Sequence, residues 1–74
     1  MNKGDIVKRK GLKTRYEIIA DRQNPDTGFI SAFGGTYKLE RGYDYVIVNI
    51  DDDIPSDEIR PYLQIMAYEI EPSE

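Results

Sequence analysis

The clearest pattern of apolar residues in this chain covers Tyr43 to Ile50, where nearly every side chain is β-branched or aromatic. Such side chains pack well on a pleated surface, so this stretch predicts a β-strand. Alternation places Val46 and Val48 on one face, where we expect both to be buried, and Ile47 on the other. Because both faces are apolar, we expect a central strand covered on both sides. It should end near Asp51, since three adjacent aspartates cannot enter a core without partners.

Shorter alternating stretches precede this strand and predict an antiparallel meander. The predicted strands cover residues 5–10, 14–22, 29–33 and 36–40. Turn-forming residues separate them, and we expect a hairpin across 24–28 and a two-residue turn at Gly34-Gly35. The connections are too short for a parallel crossover. The first strand carries three consecutive basic residues, which is typical of a strand at the edge of a sheet.

The segment after the aspartates predicts one short 3₁₀ or helical turn near residues 56–60. Ser56 is a good N-cap, and Pro61 lacks the N–H group that a continuing helix needs. The C-terminal residues 72–74 should fray.

Residues 62–71 fit both helical spacing and strand alternation. We favour a strand because Glu69 and Glu71 would lie at a helix C-terminus, where negative charge is unfavourable. A helix with Pro61 at its first position stays open as the alternative.

Two segments, KGDIV near the start and DIPSDEIRPYL after the hydrophobic strand, together with the short hairpins, resemble small SH3-like barrels. In such barrels a strand is followed by a 3₁₀ turn that reads similarly to SDEIRP. The resemblance covers residues 3–63, and residues 64–74 extend past the usual end of the barrel. It implies a mainly β binding module, although fold alone does not select among peptides, proteins and nucleic acids as ligands.

The length of 74 residues predicts one domain, residues 1–74, with a small core. The chain has no cysteine and no histidine, which removes the usual zinc ligands, the thiol nucleophile and the usual base at neutral pH. We therefore expect no enzymatic activity and no cofactor. No apolar run reaches the roughly 18 residues of a membrane span, so we expect a cytoplasmic protein without membrane contact.

Charge is distributed unevenly along the chain. Residues 1–42 contain nine basic and five acidic residues, whereas residues 43–74 contain one basic and nine acidic residues. Such polarity can steer a charged partner. Terminal strands are often neighbours in a compact meander, however, so we expect much of the charge to be neutralised between the two halves.

The densest carboxylate cluster predicts a surface for a basic protein partner. It consists of Asp51, Asp52, Asp53, Asp57 and Glu58, with Tyr43 and Tyr62 as aromatic contacts. A solvated loop without a ligand and a divalent-cation site, such as a calcium site, are the competing interpretations of the carboxylates, and of these two the solvated loop is favoured. We do not favour the cation site, because the glycine and the distal glutamate of an EF-hand loop are missing.

A nucleic-acid interface is the alternative from a different functional class. It would use the basic residues Lys8, Arg9, Lys10, Lys13 and Arg15, with Tyr16 available for base stacking. The net charge of −4 is against it, because domains that bind nucleic acids are usually basic. Self-association by pairing of edge strands is a third hypothesis.

These observations together favour a non-enzymatic protein-binding module that acts as an inhibitor, adaptor or regulator. Small acidic single-domain proteins of this kind are common among phage and mobile-element products that block host machinery. That association rests on size and charge alone.

We predict that millimolar Ca²⁺ or Mg²⁺ leaves the melting temperature unchanged, because a solvated acidic loop gains nothing from these ions on folding. Thermal unfolding followed by circular dichroism, with and without each ion, provides the measurement. A saturable rise in melting temperature would support the cation site instead.

Overall fold

The computed structural model describes residues 1–30, 34–51, 55 and 62–73. The strands in these ranges are β1 (Ile6–Arg9), β2 (Arg15–Asp21), β3 (Asp26–Ile30), β4 (Thr36–Lys38), β5 (Tyr45–Asn49), β6 (Tyr62–Ile65) and β7 (Ile70–Pro72). One 3₁₀ turn covers Ala67–Glu69. Every pairing among these described strands is antiparallel, so the expectation of a small, mainly β antiparallel domain is confirmed.

Five strands form one sheet in the order β6-β5-β2-β1-β7, and β3 and β4 form a separate two-stranded sheet. The first and last strands are neighbours, with Val7 opposite Pro72 and Arg9 opposite Ile70. The prediction that terminal strands pair is therefore confirmed. The prediction that the first strand forms a sheet edge is wrong, because β7 covers its outer side.

The main core lies on one face of the five-stranded sheet. Its buried members come from five strands and are Val7, Tyr16, Ile18, Ile47, Ile65 and Ile70. Tyr45 and Leu63 pack against this cluster and are partly buried. Burying each of the larger apolar side chains contributes roughly 1.5–3 kcal/mol before conformational entropy is subtracted.

The opposite face of the sheet is covered only in part, by the β3–β4 hairpin. Val46 and Ala20 lie opposite each other and are fully buried. A register shift between Ile18 and Ala20 permits this pairing. The prediction that β5 is covered on both sides is thus confirmed for Val46 and Ile47, whereas Val48 is only partly buried.

The strand that follows β2 does not pair with β2, contrary to the prediction. We expected residues 24–28 to join two paired strands, but β3 pairs only with β4 among the described strands. Gly28 has a φ of 80°, a left-handed conformation that favours glycine, and its N–H donates to Asp26 Oδ1 at 2.8 Å. Ile30 lies opposite Thr36, which confirms a hairpin after β3. The two-residue turn predicted at Gly34-Gly35 is wrong, because it would place residue 33 opposite Thr36; residues 31–33 are outside the described ranges.

The C-terminal segment is mainly extended, as favoured, but the 3₁₀ turn interrupts it. This turn is held by a bond from Met66 N to Glu69 Oε2 at 3.0 Å and one from Ala67 N to Asp44 Oδ2 at 2.8 Å. The turn predicted near 56–60 lies outside the described residues. Pro72 belongs to β7 and Ser73 N donates to Ile6 O at 3.3 Å, so pairing extends into the segment expected to fray. None of the helices in the described parts of the chain has the length and apolarity needed to cross a bilayer.

We predict that Ile47→Ala lowers the free energy of unfolding by about 3 kcal/mol, because it leaves a cavity in the main core. Val48→Ala should cost about 1 kcal/mol, since Val48 is partly exposed and neighbouring groups can relax. Urea unfolding of both variants measures the two losses of unfolding free energy. Equal losses would contradict the assignment of the main core to the Ile47 face.

Candidate partner-binding surface

Asp51 is the one member of the acidic cluster that the structure describes, and it is bonded to Arg15. Its Oδ1 accepts a hydrogen bond from Arg15 Nη2 at 2.9 Å, and its Oδ2 accepts one from the Arg15 backbone N–H at 2.8 Å. These bonds, the side-chain bond first, hold the pKa of Asp51 below its usual range. The same pair raises the pKa of Arg15. Asp52, Asp53, Asp57 and Glu58 lie outside the described residues.

The two tyrosines predicted to accompany the acidic cluster are at opposite ends of the β5–β6 pair. Tyr62 lies opposite Val48, close to the end of β5 that leads to Asp51. Tyr43 precedes the other end, where Tyr45 pairs with Ile65. Tyr43 and Val48, the residue opposite Tyr62, are separated by roughly 16 Å of extended chain. Tyr62 therefore shares an end of the sheet with Asp51, and Tyr43 does not.

The basic residues predicted as a nucleic-acid interface are also divided by the fold. Lys8 and Arg15 lie opposite each other, and each also has an acidic neighbour. Lys8 Nζ is 3.5 Å from Glu71 Oε1 on β7, so the four charges form a row Glu71–Lys8–Arg15–Asp51 across the sheet.

The remaining members of the basic set do not extend this row. Arg9 alternates with Lys8 and so projects from the other face of β1. Lys10 and Lys13 lie in the connection between β1 and β2 and are exposed. The structure thus brings together two of the five basic residues and places acidic residues beside both.

A third ion pair also joins the basic and acidic halves. Arg22 Nη2 is 2.7 Å from Asp44 Oδ1. Together with the Lys8 and Arg15 pairs, it supports the expectation that the two halves neutralise each other where they meet in the fold.

Sequence reasoning missed a half-open apolar area on the face of the sheet opposite the main core. Register places Ile6, Glu17, Val48 and Tyr62 in one row across four strands. Ile6 is 39% exposed, and Ile50 at the end of β5 is 41% exposed. We call this area, Ile6, Val48, Ile50 and Tyr62, the open face. The open face could not be found from the sequence, because its residues become neighbours only through the register of strands that are distant in the chain.

Aromatic contacts connect the open face to the β3–β4 hairpin. The ring of Tyr62 is 4.7 Å from that of Tyr37 and 6.0 Å from that of Phe29, measured between centroids. Gln64 Nε2 donates to the Tyr37 hydroxyl at 3.0 Å and to Lys38 O at 3.1 Å. These contacts fix the Tyr62 ring, which lowers the conformational entropy that it can lose on binding.

Asp21 holds the opposite end of β2. Its carboxylate accepts backbone N–H bonds from Lys3 at 2.9 Å, Gln23 at 2.9 Å and Asn24 at 2.7 Å, and the residue is 6% exposed. These bonds, with that from Lys3 first, lower the pKa of Asp21 although burial opposes the shift. Asp21 is therefore a structural carboxylate and turns the chain away from the sheet after β2.

No family model, no curated protein and no solved structure matches this chain.

We predict that stability falls in acid and that Asp21→Asn weakens this dependence. A carboxyl group whose pKa is lower in the folded state stabilises fully above its unfolded pKa, about 4, and loses this effect as the pH falls through the folded pKa. Asp21→Asn should lower the melting temperature at pH 7 and flatten the decline below pH 4. Thermal unfolding between pH 7 and pH 3 measures both effects. Glu40→Gln is the control for loss of an exposed carboxylate, and an equal acid decline in Asp21→Asn and wild type would contradict the prediction.

Proposed function

We propose that this protein is a non-enzymatic protein-binding module that receives a basic partner at the end of the sheet shared by Asp51 and Tyr62. Inhibitor, adaptor and regulator are the roles open to such a module. An SH3-like barrel, a cytoplasmic location and an origin in a phage or mobile element are parts of this proposal. The SH3-like barrel rests on the sequence resemblance, and the cytoplasmic location rests on composition. The origin in a phage or mobile element rests on size and charge.

The observation that carries the proposal is the end of the sheet to which the most acidic segment of the sequence is attached. Three of the four described carboxylates of the acidic half, Asp44, Asp51 and Glu71, pair with a basic residue. The fourth, Glu69, accepts a hydrogen bond from the Met66 backbone N–H. The connection between β5 and β6 holds four more carboxylates, at positions 52, 53, 57 and 58, and one arginine, Arg60. It leaves the sheet after Asp51 and returns at Tyr62, so this excess negative charge is attached at one end of the domain.

The open face provides an apolar contact beside that charge. Ile50 and Val48 precede the acidic connection, and Tyr62 follows it. An interface needs an apolar centre for affinity, whereas charges mainly increase the association rate and exclude wrong partners. A basic segment with one or two large apolar side chains satisfies both requirements.

Nucleic-acid binding through the basic half stays as the second candidate. Its support is the exposure of Lys10 and Lys13 in the β1–β2 connection. Pairing of Lys8 with Glu71 and of Arg15 with Asp51 reduces the positive charge available to phosphates.

We predict that the double variant Asp52→Asn/Asp53→Asn keeps the fold and associates with the partner about tenfold more slowly at low salt, because electrostatic steering is reduced. The partner is first isolated by affinity purification from the native host after nuclease treatment and identified by mass spectrometry. Association rates at two salt concentrations then show whether the salt dependence has also fallen. Asp51 is left unchanged, since its bond to Arg15 makes its substitution a structural change.

Glu40→Gln is the control, because it removes one exposed carboxylate from the β4–β5 connection and none from the acidic connection. It should leave the association rate unchanged. Unchanged rates in the double variant would overturn the proposal. Loss of the captured material on nuclease treatment, together with weaker oligonucleotide binding by Lys10→Gln/Lys13→Gln, would favour the second candidate.

A further inference from the structure

A groove lies at the Tyr43 end of the sheet, away from Asp51. One wall comes from the β2–β3 connection, with Arg22 and Pro25, and the other from the β4–β5 connection, residues 39–43. The groove encloses about 490 Å³ and is open to solvent. Its lining combines apolar surface from Pro25, Leu39 and Tyr43 with two guanidinium groups, those of Arg22 and Arg41.

Backbone hydrogen bonds hold the two walls of the groove together. Leu39 N donates to Pro25 O at 2.8 Å, which joins one wall to the other, and Tyr43 N donates to Glu40 O at 3.3 Å, which closes the turn. Gly42 allows this turn because its φ is 96°, in the left-handed region. Gln64 Oε1 also accepts the Glu40 N–H at 2.9 Å. A groove fixed in this way loses little entropy when it binds a ligand.

The charges in the groove favour an anionic group. Arg22 is held by its ion pair with Asp44, but a guanidinium has five N–H donors, so most of them are left for a ligand. Arg41 is exposed and makes no hydrogen bond or ion pair with any other residue that the structure describes. Glu40 contributes one opposing charge beside Arg41.

We propose that this groove binds a short acidic peptide segment of a partner protein. One carboxylate of the segment would contact Arg22 and Arg41, since arginine forms strong, oriented hydrogen bonds with carboxylates. A neighbouring apolar side chain would pack on Leu39, Pro25 and Tyr43. The net charge of −4 disfavours a long polyanion such as a nucleic acid, whereas a segment with one or two carboxylates is repelled much less.

This inference goes beyond the proposed function, because it uses the opposite end of the sheet and ligands of opposite charge. It also gives Tyr43 a role different from the one predicted from sequence. Tyr43 is 38% exposed and lies in the groove beside two arginines, so its ring serves an acidic ligand here.

The test is an NMR titration of the ¹⁵N-labelled protein with the peptide acetyl-Glu-Leu-Glu-amide. Saturable shifts are expected at the amide groups of Leu39, Glu40, Gly42 and Tyr43, and the uncharged acetyl-Gln-Leu-Gln-amide should shift them much less. Arg41→Gln should raise the Kd about tenfold, the effect of losing one charged hydrogen-bond donor. Glu40→Gln should lower the Kd, because it removes the repelling carboxylate.

Lys38→Gln is the matched control, since Lys38 is exposed on β4 and does not line the groove. Its Kd should stay at the wild-type value. Equal weakening by Lys38→Gln and Arg41→Gln would show attraction by net charge alone and overturn the proposal. Absence of saturable shifts, or equal shifts with inorganic phosphate or uridine monophosphate, would overturn it as well. The opposite signs expected for Glu40→Gln and Arg41→Gln separate binding from loss of fold, because unfolding can only weaken it.

Discussion

The pairing of β2 with β5 is the interaction on which the rest of the structure depends. β2 also pairs with β1, and β5 also pairs with β6, so this central ladder joins the two halves of the sheet. Ile18 and Ile47 lie opposite each other on it and are fully buried. A shift of one residue would exchange the faces of every side chain, so the register has to be fixed. Aspartates bind backbone N–H groups near both ends of the ladder, Asp51 beside Arg15 and Asp21 at the end of β2.

The position of Asp51 explains why the sequence alone overstates the charge that the protein leaves unpaired. Asp51 belongs by sequence to a run of three aspartates, but its carboxylate is engaged by Arg15 and is part of the sheet structure. The ion pairs of Lys8 and Arg22 likewise join the basic half to the acidic half. Part of the charge asymmetry of the sequence is therefore neutralised within the fold.

The elements that could be predicted from the sequence are those whose signal is local. Residues 45–49 were recognisable as a strand because their side chains are β-branched on both faces. The edge position assigned to residues 5–10 was wrong because the covering strand, β7, is only three residues long and more than 60 positions away in the chain. The same limitation applies to the candidate sites, since the bond of Asp51 to Arg15 depends on a register between distant strands. The groove around Tyr43 could not be predicted either, because its walls come from two connections that no sequence pattern links.

The pairing of β1 with β7 determines how this domain responds to mechanical force. The beginning of β1 and the end of β7 lie at the same end of their ladder, since Val7 is opposite Pro72 and Ser73 donates to Ile6. A force that separates the two chain ends therefore acts across this ladder and loads its hydrogen bonds one after another. In a sheared geometry, all of these bonds would bear the load together. This ladder should therefore unzip at low force when the beginning of β1 and the end of β7 are pulled apart.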